Sequence, residues 1–295
     1  SSLIAFVFIE RRRLQRGRSV LLDLSLFRLP AFSWGAVTAA VVSAGEFALL
    51  FVLPLFLVFA LQLTVMQAGL VLAAMAFGAF VSGAAARSLA SRLGPPRVVT
   101  IGLVLELLSA ITAAVVVAGA APLWLLTAVL AGYGLGLGLA SAQLTSTVLR
   151  DVPVEQSGAA SAAQSTVRQV GAALGSAVSG TVLALSFAVT VPAQLAAFAS
   201  ISADDRQTMV DYMTGTAGSV IAMIRDRGTD GYFGALGPQV ADALTVAFRQ
   251  SASAAVWVAA GFLALGVVGA VVVEKAAGAH SVAAEDSVPV ALTQN

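Results

Sequence analysis

The chain has no cysteine and a single histidine among its 295 residues. The first absence excludes disulfides and thiolate metal or redox centres, and it leaves compartment unreadable from cysteine usage. The one histidine, His280, lies in a polar C-terminal stretch, so histidine-based catalysis or metal ligation inside an apolar interior is excluded as well. Charge is equally scarce: 11% of residues are Asp, Glu, Lys or Arg, and the formal net charge is +1. With no long basic patch beyond one N-terminal run, nothing supports nucleic-acid binding. The apolar stretches contain no serine–histidine or aspartate-pair arrangement, so the sequence reads as a non-enzyme with no catalytic residues, no metal site and no cofactor.

What remains is overwhelmingly apolar. Hydrophobic residues make up 59% of the chain, and mean hydropathy is +0.93. Soluble domains are about 45–50% apolar and about 25% charged, so a water-soluble reading would need more exposed apolar surface than a soluble monomer tolerates. The composition predicts an all-α integral membrane protein with the lipid bilayer as its solvent.

Arg11, Arg12, Arg13, Arg16 and Arg18 orient the threading, because short cytoplasmic loops carry an excess of Lys and Arg. Residues Ser1 to Ile9 are too short for a crossing that needs about 20 helical residues, and their charges follow the apolar stretch rather than precede it. They read as the end of a preceding span, and the chain as a fragment lacking its N-terminal part. Residues 1–31 are then that end plus a basic cytoplasmic loop. Five spans occupy 32–189: Ser33 to Phe59 with a kink expected at Pro54, Ala68 to Ala86, Val98 to Ala118, Leu123 to Val148, and Val167 to Val189. Arg87, Arg92 and Arg97, with Gly94 and two prolines among them, mark an inner loop, whereas the turns at Gln62–Thr64 and Gly119–Pro122 carry no Lys or Arg. Parity places 190–250 outside as a long loop with six Asp and four Arg; apolar clusters at Met209–Met213 and Val220–Ile224 suggest short surface helices, with a partly disordered linker as the alternative. A sixth span covers 251–273, and 274–295 reads as a flexible cytoplasmic tail. Twelve of the sixteen Lys and Arg residues fall on or beside segments assigned to the cytoplasm, which predicts a multi-pass cell-membrane protein with its C-terminus inside.

Helices in lipid associate through close approach of small residues. Gly132, Gly134, Gly136 and Gly138 in the fourth span, and Gly171 and Gly175 in the fifth, supply such faces. A nucleotide-binding glycine loop would need a preceding strand and an acidic ribose ligand, and neither is present. Two carboxylates, Glu46 and Glu106, fall near the middle of their spans, where an ionised group costs a few kcal/mol or more and must be protonated or partnered. For Glu46, proton coupling or binding of a cationic substrate stands against a neutral, hydrogen-bonded structural role. Arg168 either snorkels to the interface or pairs with a carboxylate. Gln143 and Gln164 offer hydrogen bonds to a substrate or to neighbouring helices.

The sequence also carries a family pattern. It runs through the basic loop, Leu24–Arg28, Phe32, Val52–Phe56, Gln67–Leu70, Ala90–Arg97, Gly134–Gly138 and Val152–Ala159 to Arg168–Gly175. This order resembles the second half of major facilitator superfamily transporters of the fourteen-span EmrB/QacA drug:proton antiporter type, over roughly residues 1–190 and the final span. The resemblance implies a six-helix half of a major facilitator fold, a missing N-terminal half as its partner, and a proton gradient as its energy source. It further implies export of amphipathic or cationic small molecules by alternating access. It turns Glu46 toward the central cavity, puts Glu106 on the third helix, which packs outside and makes a functional role for it less expected, and gives Arg92, Gly94 and Arg97 a gating or topology role. The family often has an acid where Ser91 stands, so a charge relay in that loop is not implied. A non-transporting membrane scaffold or partner subunit is the alternative. Substrate, direction and oligomeric state are not legible.

Overall fold

The computed structural model describes residues 30–119, 121–148, 152–153 and 156–285. The basic run of residues 11–18, Arg28, Arg150 and the final ten residues lie outside the described residues. Six helices among those described are long and apolar enough to cross a bilayer, and no strand occurs there. The first, α1, runs over Pro30–Leu55 and continues through a π-helical turn, Phe56–Ala60. Pro54 has no N–H to give to the ladder, and the wider turn directly after it is where the backbone absorbs that loss. Helix α2 covers Val65–Leu93, α3 Pro95–Ala118, α4 Leu123–Val148 and α5 Ser157–Leu195. Two short helices, α6 (Ala203–Gly215) and α7 (Val220–Arg227), precede α8, Gly237–Glu285.

Several sequence-based boundaries change, because hydropathy falls where water begins whereas a helix continues as long as its residues allow. The expected loop over 87–97 shrinks to Gly94: α2 carries Arg87 and Arg92 in its last turns, and Pro95 opens α3. Gly94 has φ 87°, a conformation that costs glycine little, and its N–H donates to the Ala90 carbonyl at 2.9 Å. Gln67, expected in a polar turn, instead closes a capping box with Thr64 at the start of α2: the Thr64 N–H donates to Gln67 Oε1 (2.9 Å), and the Gln67 N–H to Thr64 Oγ1 (3.3 Å). The expected loop over 190–250 is helical at both ends. Its beginning belongs to α5, where Val191 and Leu195 are buried, and its end to α8, where Val240, Ala241, Leu244, Ala247 and Phe248 form one buried face. The stretch from 274 to 285 is helix rather than flexible tail.

Helix α1 packs on α5 and α8, α2 on α4, α3 on α4 and α8, and α5 on α8. Glycines bring these pairs together backbone to backbone. A Cβ on Gly134 would run into the Met75 carbonyl, and one on Gly138 into the Ala79 carbonyl. On the opposite seam, Gly171 and Gly175 seat the carbonyls of Ala40 and Ala44, and Ser179 Oγ donates to the Ala48 carbonyl at 2.9 Å. Between α3 and α4, Gly102 and Gly136 face each other, while Gly132 lies next to Ser109.

Candidate functional site

The site grows from residues spaced along the inward faces of α1, α3, α4 and α5. On α1, Ser43 and Glu46 are one turn apart and both buried. On α5, Gln164 and Arg168 are likewise one turn apart, a spacing that puts both on one helix face. The glycine contacts at Ala40 and Ala44 draw the two helices close enough for their polar groups to meet. Arg168 Nη2 lies 3.7 Å from Glu46 Oε2, and Arg168 Nε donates to Ser43 Oγ at 3.2 Å. The pair is asymmetric: the Glu46 side chain is 6% exposed and that of Arg168 31%, so the cation faces an opening while the carboxylate sits behind it. Of the two roles open for Arg168, the geometry shows pairing with a carboxylate.

The opening is a cavity of about 380 Å³, lined by Ser43, Phe47, Thr145, Gln164, Arg168 and Gln169. It falls in the size range of small-molecule sites, and its mixture of aromatic, hydroxyl, amide and guanidinium groups suits an amphipathic guest. Gln164 is 2% exposed, and neither its Oε1 nor its Nε2 has a hydrogen-bond partner among the described residues. A buried amide with free donors and acceptor is costly, and this one stands at the wall of a cavity.

Glu106 lies deeper. The expectation that its helix packs outside does not carry the side chain outward: Glu106 is 0% exposed and turned into the bundle, because Gly136 of α4 leaves room beside it. Neither carboxyl oxygen has a partner among the described residues, and the same holds for the hydroxyl of Tyr133, 1% exposed on α4. Glu46 and Arg168 are within Coulombic range of Glu106, and both carboxyls are within that range of Tyr133.

The remaining candidates lie elsewhere. Gln143 is half-buried, and its Oε1 accepts from Ser146 Oγ within α4 at 3.4 Å. Arg92 is exposed in the last turn of α2. Arg97 joins a different contact: its Nε is 3.5 Å from Glu274 Oε1, and Thr100 Oγ1 donates to Glu274 Oε2 at 3.3 Å, linking the start of α3 to α8. Sequence reasoning missed Ser43, Tyr133 and Glu274. The signal for the first was a hydroxyl one turn before an intramembrane acid, and for the second a phenol in mid-span, which usually seeks a partner when buried.

Comparison with known proteins places this arrangement. The model of the Major Facilitator Superfamily matches residues 2–176. The chain is 28% identical over 178 residues to the tetracycline resistance determinant of Streptomyces rimosus, covering 60% of this chain and 50% of that protein. It is 29% identical over 177 residues to the riboflavin transporter RibZ of Clostridioides difficile, covering 60% of this chain and 38% of the relative. To the multidrug efflux pump LfrA of Mycolicibacterium smegmatis it is 28% identical over 195 residues, with coverages of 62% and 37%. The match thus spans half the length of these relatives or less.

Proposed function

Because the chain belongs to the Major Facilitator Superfamily, we propose that it forms the C-terminal six-helix half of a secondary transporter. On this reading it works with an N-terminal half to export amphipathic or cationic small molecules in exchange for protons. One relative's name, a multidrug efflux pump, supports efflux, and the relatives' greater length supports a second half. Within the superfamily, the fourteen-span EmrB/QacA drug:proton antiporters are the type that the sequence pattern favours, with the cell membrane as location and the C-terminus inside.

The observation that carries the proposal is the buried Glu46 held behind Arg168, the cation that lines the 380 Å³ cavity. A carboxylate held by a cation at a cavity wall can exchange partners. Protonation of Glu46 frees Arg168, while a cationic guest competes with Arg168 for the ionised carboxylate. Substrate and proton thereby become alternatives at one group, which is the requirement for exchange. Ser43 holds the guanidinium in place, and Gln164 and Thr145 offer hydrogen bonds to the guest. Arg92 and Arg97 are assigned to topology and to the inner gate.

The test is transport by the complete polypeptide that carries these residues, reconstituted in proteoliposomes with a fluorescent lipophilic cation. Glu46→Gln is expected to abolish uptake driven by a pH gradient and to weaken equilibrium binding of the dye, because the carboxylate that the cation competes for is gone. Gradient-driven transport at the wild-type rate in that variant would overturn the assignment of Glu46.

A further inference from the structure

Glu106 is a buried carboxyl that the pair at the cavity does not use, and the geometry gives it a task. We propose that Glu46 and Glu106 share a single proton, with Arg168 balancing whichever carboxyl is ionised. This deepens the proton-coupled reading by adding a second carboxyl to the same site.

The titratable groups within electrostatic reach of Glu106 are Glu46 from α1, Tyr133 from α4 and Arg168 from α5. Helix α8 also packs on α3, but it contributes Ser253, whose Oγ donates to the Ala114 carbonyl two turns along, and Glu274, which is engaged with Arg97 near the start of α3. Among these described groups there are two acids and one cation. An uncompensated ion in a bundle interior is expensive, so with Arg168 charged the cluster is neutral when one carboxyl is ionised and the other carries a proton.

The contacts say which carboxyl holds the proton in this structure. Glu46 is the one that faces Arg168, at 3.7 Å. Glu106 has no donor to either oxygen, a setting that a neutral acid tolerates far better than an ion does. Space is provided for it as well: a Cβ on Gly136 would meet Glu106 Cγ at 2.9 Å and its backbone nitrogen at 2.6 Å. When the proton leaves the Glu106 hydroxyl for the Glu46 carboxylate, the O–H bond broken on one is formed on the other, and Arg168 then balances Glu106. The Tyr133 hydroxyl, unpartnered and in range of both, has a free proton to donate to the carboxyl that carries charge.

The experiment is infrared spectroscopy of the full chain in lipid nanodiscs at neutral pH, reading the C=O stretch of protonated carboxylic acid. Wild type is expected to show this band, and Glu106→Gln to lose it. The decisive variant is Glu46→Gln, which leaves Glu106 chemically intact: because Glu106 must then balance Arg168, the acid band is expected to disappear here too. Arg168→Gln removes the cation and is expected to double the wild-type band. A band that survives Glu46→Gln, or that stays unchanged in Arg168→Gln, would show Glu106 to be an isolated structural acid and overturn the shared proton. Circular dichroism on each variant separates these results from loss of helix. The readout needs no substrate: a protein that transports on a pH gradient but keeps its band in Glu46→Gln fails this inference alone, and one that loses the band but ignores the gradient fails the coupling reading alone.

Discussion

The membrane bundle and the outer helices α6 and α7 are built inside out relative to each other. In the bundle, polar groups point inward and large apolar side chains such as Phe77, Phe80, Leu174 and Val189 are exposed. In the outer segment Met213, Ile221 and Phe248 are buried, while Asp204, Asp211 and Arg227 face outward. The packing devices differ accordingly. Lipid is as apolar as a leucine side chain, so helices in the bundle gain by close approach and hydrogen bonding rather than by hiding apolar surface, hence glycine against carbonyl. The outer segment relies on burial and caps: Phe248 packs edge-on against Phe187 at 5.3 Å, and Ser202 and Asp205 close a capping box. One chain thus carries two solvents' worth of folding rules, and they meet in the last turns of α5 and the first turns of α8.

Four substitutions, the first paired with a control, would break or sharpen that contrast. The largest effect is expected from Gly134→Leu, which drives a side chain into the Met75 backbone and must push α2 from α4. Overpacking typically costs about 1–3 kcal/mol and sometimes more, and here backbone blocks relaxation, so loss of a monodisperse detergent peak is expected, whereas Gly69→Leu, with open space at that position, should elute as wild type. Next comes Arg168→Gln, which leaves Glu46 without its cation. Discounted for the partial exposure of Arg168, the cost is about 1–2 kcal/mol, read as a lower midpoint in thermal unfolding, and the loss should shrink as pH falls and Glu46 is neutralised. Ser179→Ala deletes one interhelical hydrogen bond and should cost about 0.6–1 kcal/mol in the same assay.

The smallest effect belongs to the outer segment. Tyr232 donates to Asp205 Oδ1 at 3.0 Å. That bond and the neighbouring carboxylate raise the Tyr232 phenol above its ordinary value, while the bonds from Ser202 and Tyr232 hold the Asp205 carboxyl below its own. In Asp205→Asn the phenol loses both influences, so ultraviolet titration of tyrosinate should show one tyrosine ionising at lower pH than in wild type, with no change in the thermal midpoint. An unchanged titration curve would remove the Asp205–Tyr232 bond from the account.

Much of this is legible in the sequence. Six long apolar stretches and the glycine series mark a membrane bundle, and an acid inside an apolar run is conspicuous, so Glu46 and Glu106 stand out at once. What the sequence hides is pairing. Arg168 meets Glu46 across 122 positions of chain only because Gly171 and Gly175 let α5 lie on α1. Tyr133 and Ser43 are overlooked because hydroxyls are ordinary in membrane helices until a neighbour gives them meaning. The inward turn of Glu106 depends on Gly136 of another helix, and no single-helix pattern shows it. Glu274 reads as the start of a tail because hydropathy ends there, yet the Arg97 and Thr100 contacts tie it to α3.

The joint at Gly94 fixes α2 to α3 more tightly than a loop would. A linker of several residues would let α2 and α3 slide past one another, but a single residue at φ 87° between Leu93 and Pro95 gives them no slack. With Arg97 also 3.5 Å from Glu274, α2 and α3 are joined without a linker and α3 is tied to α8 at this end of the bundle.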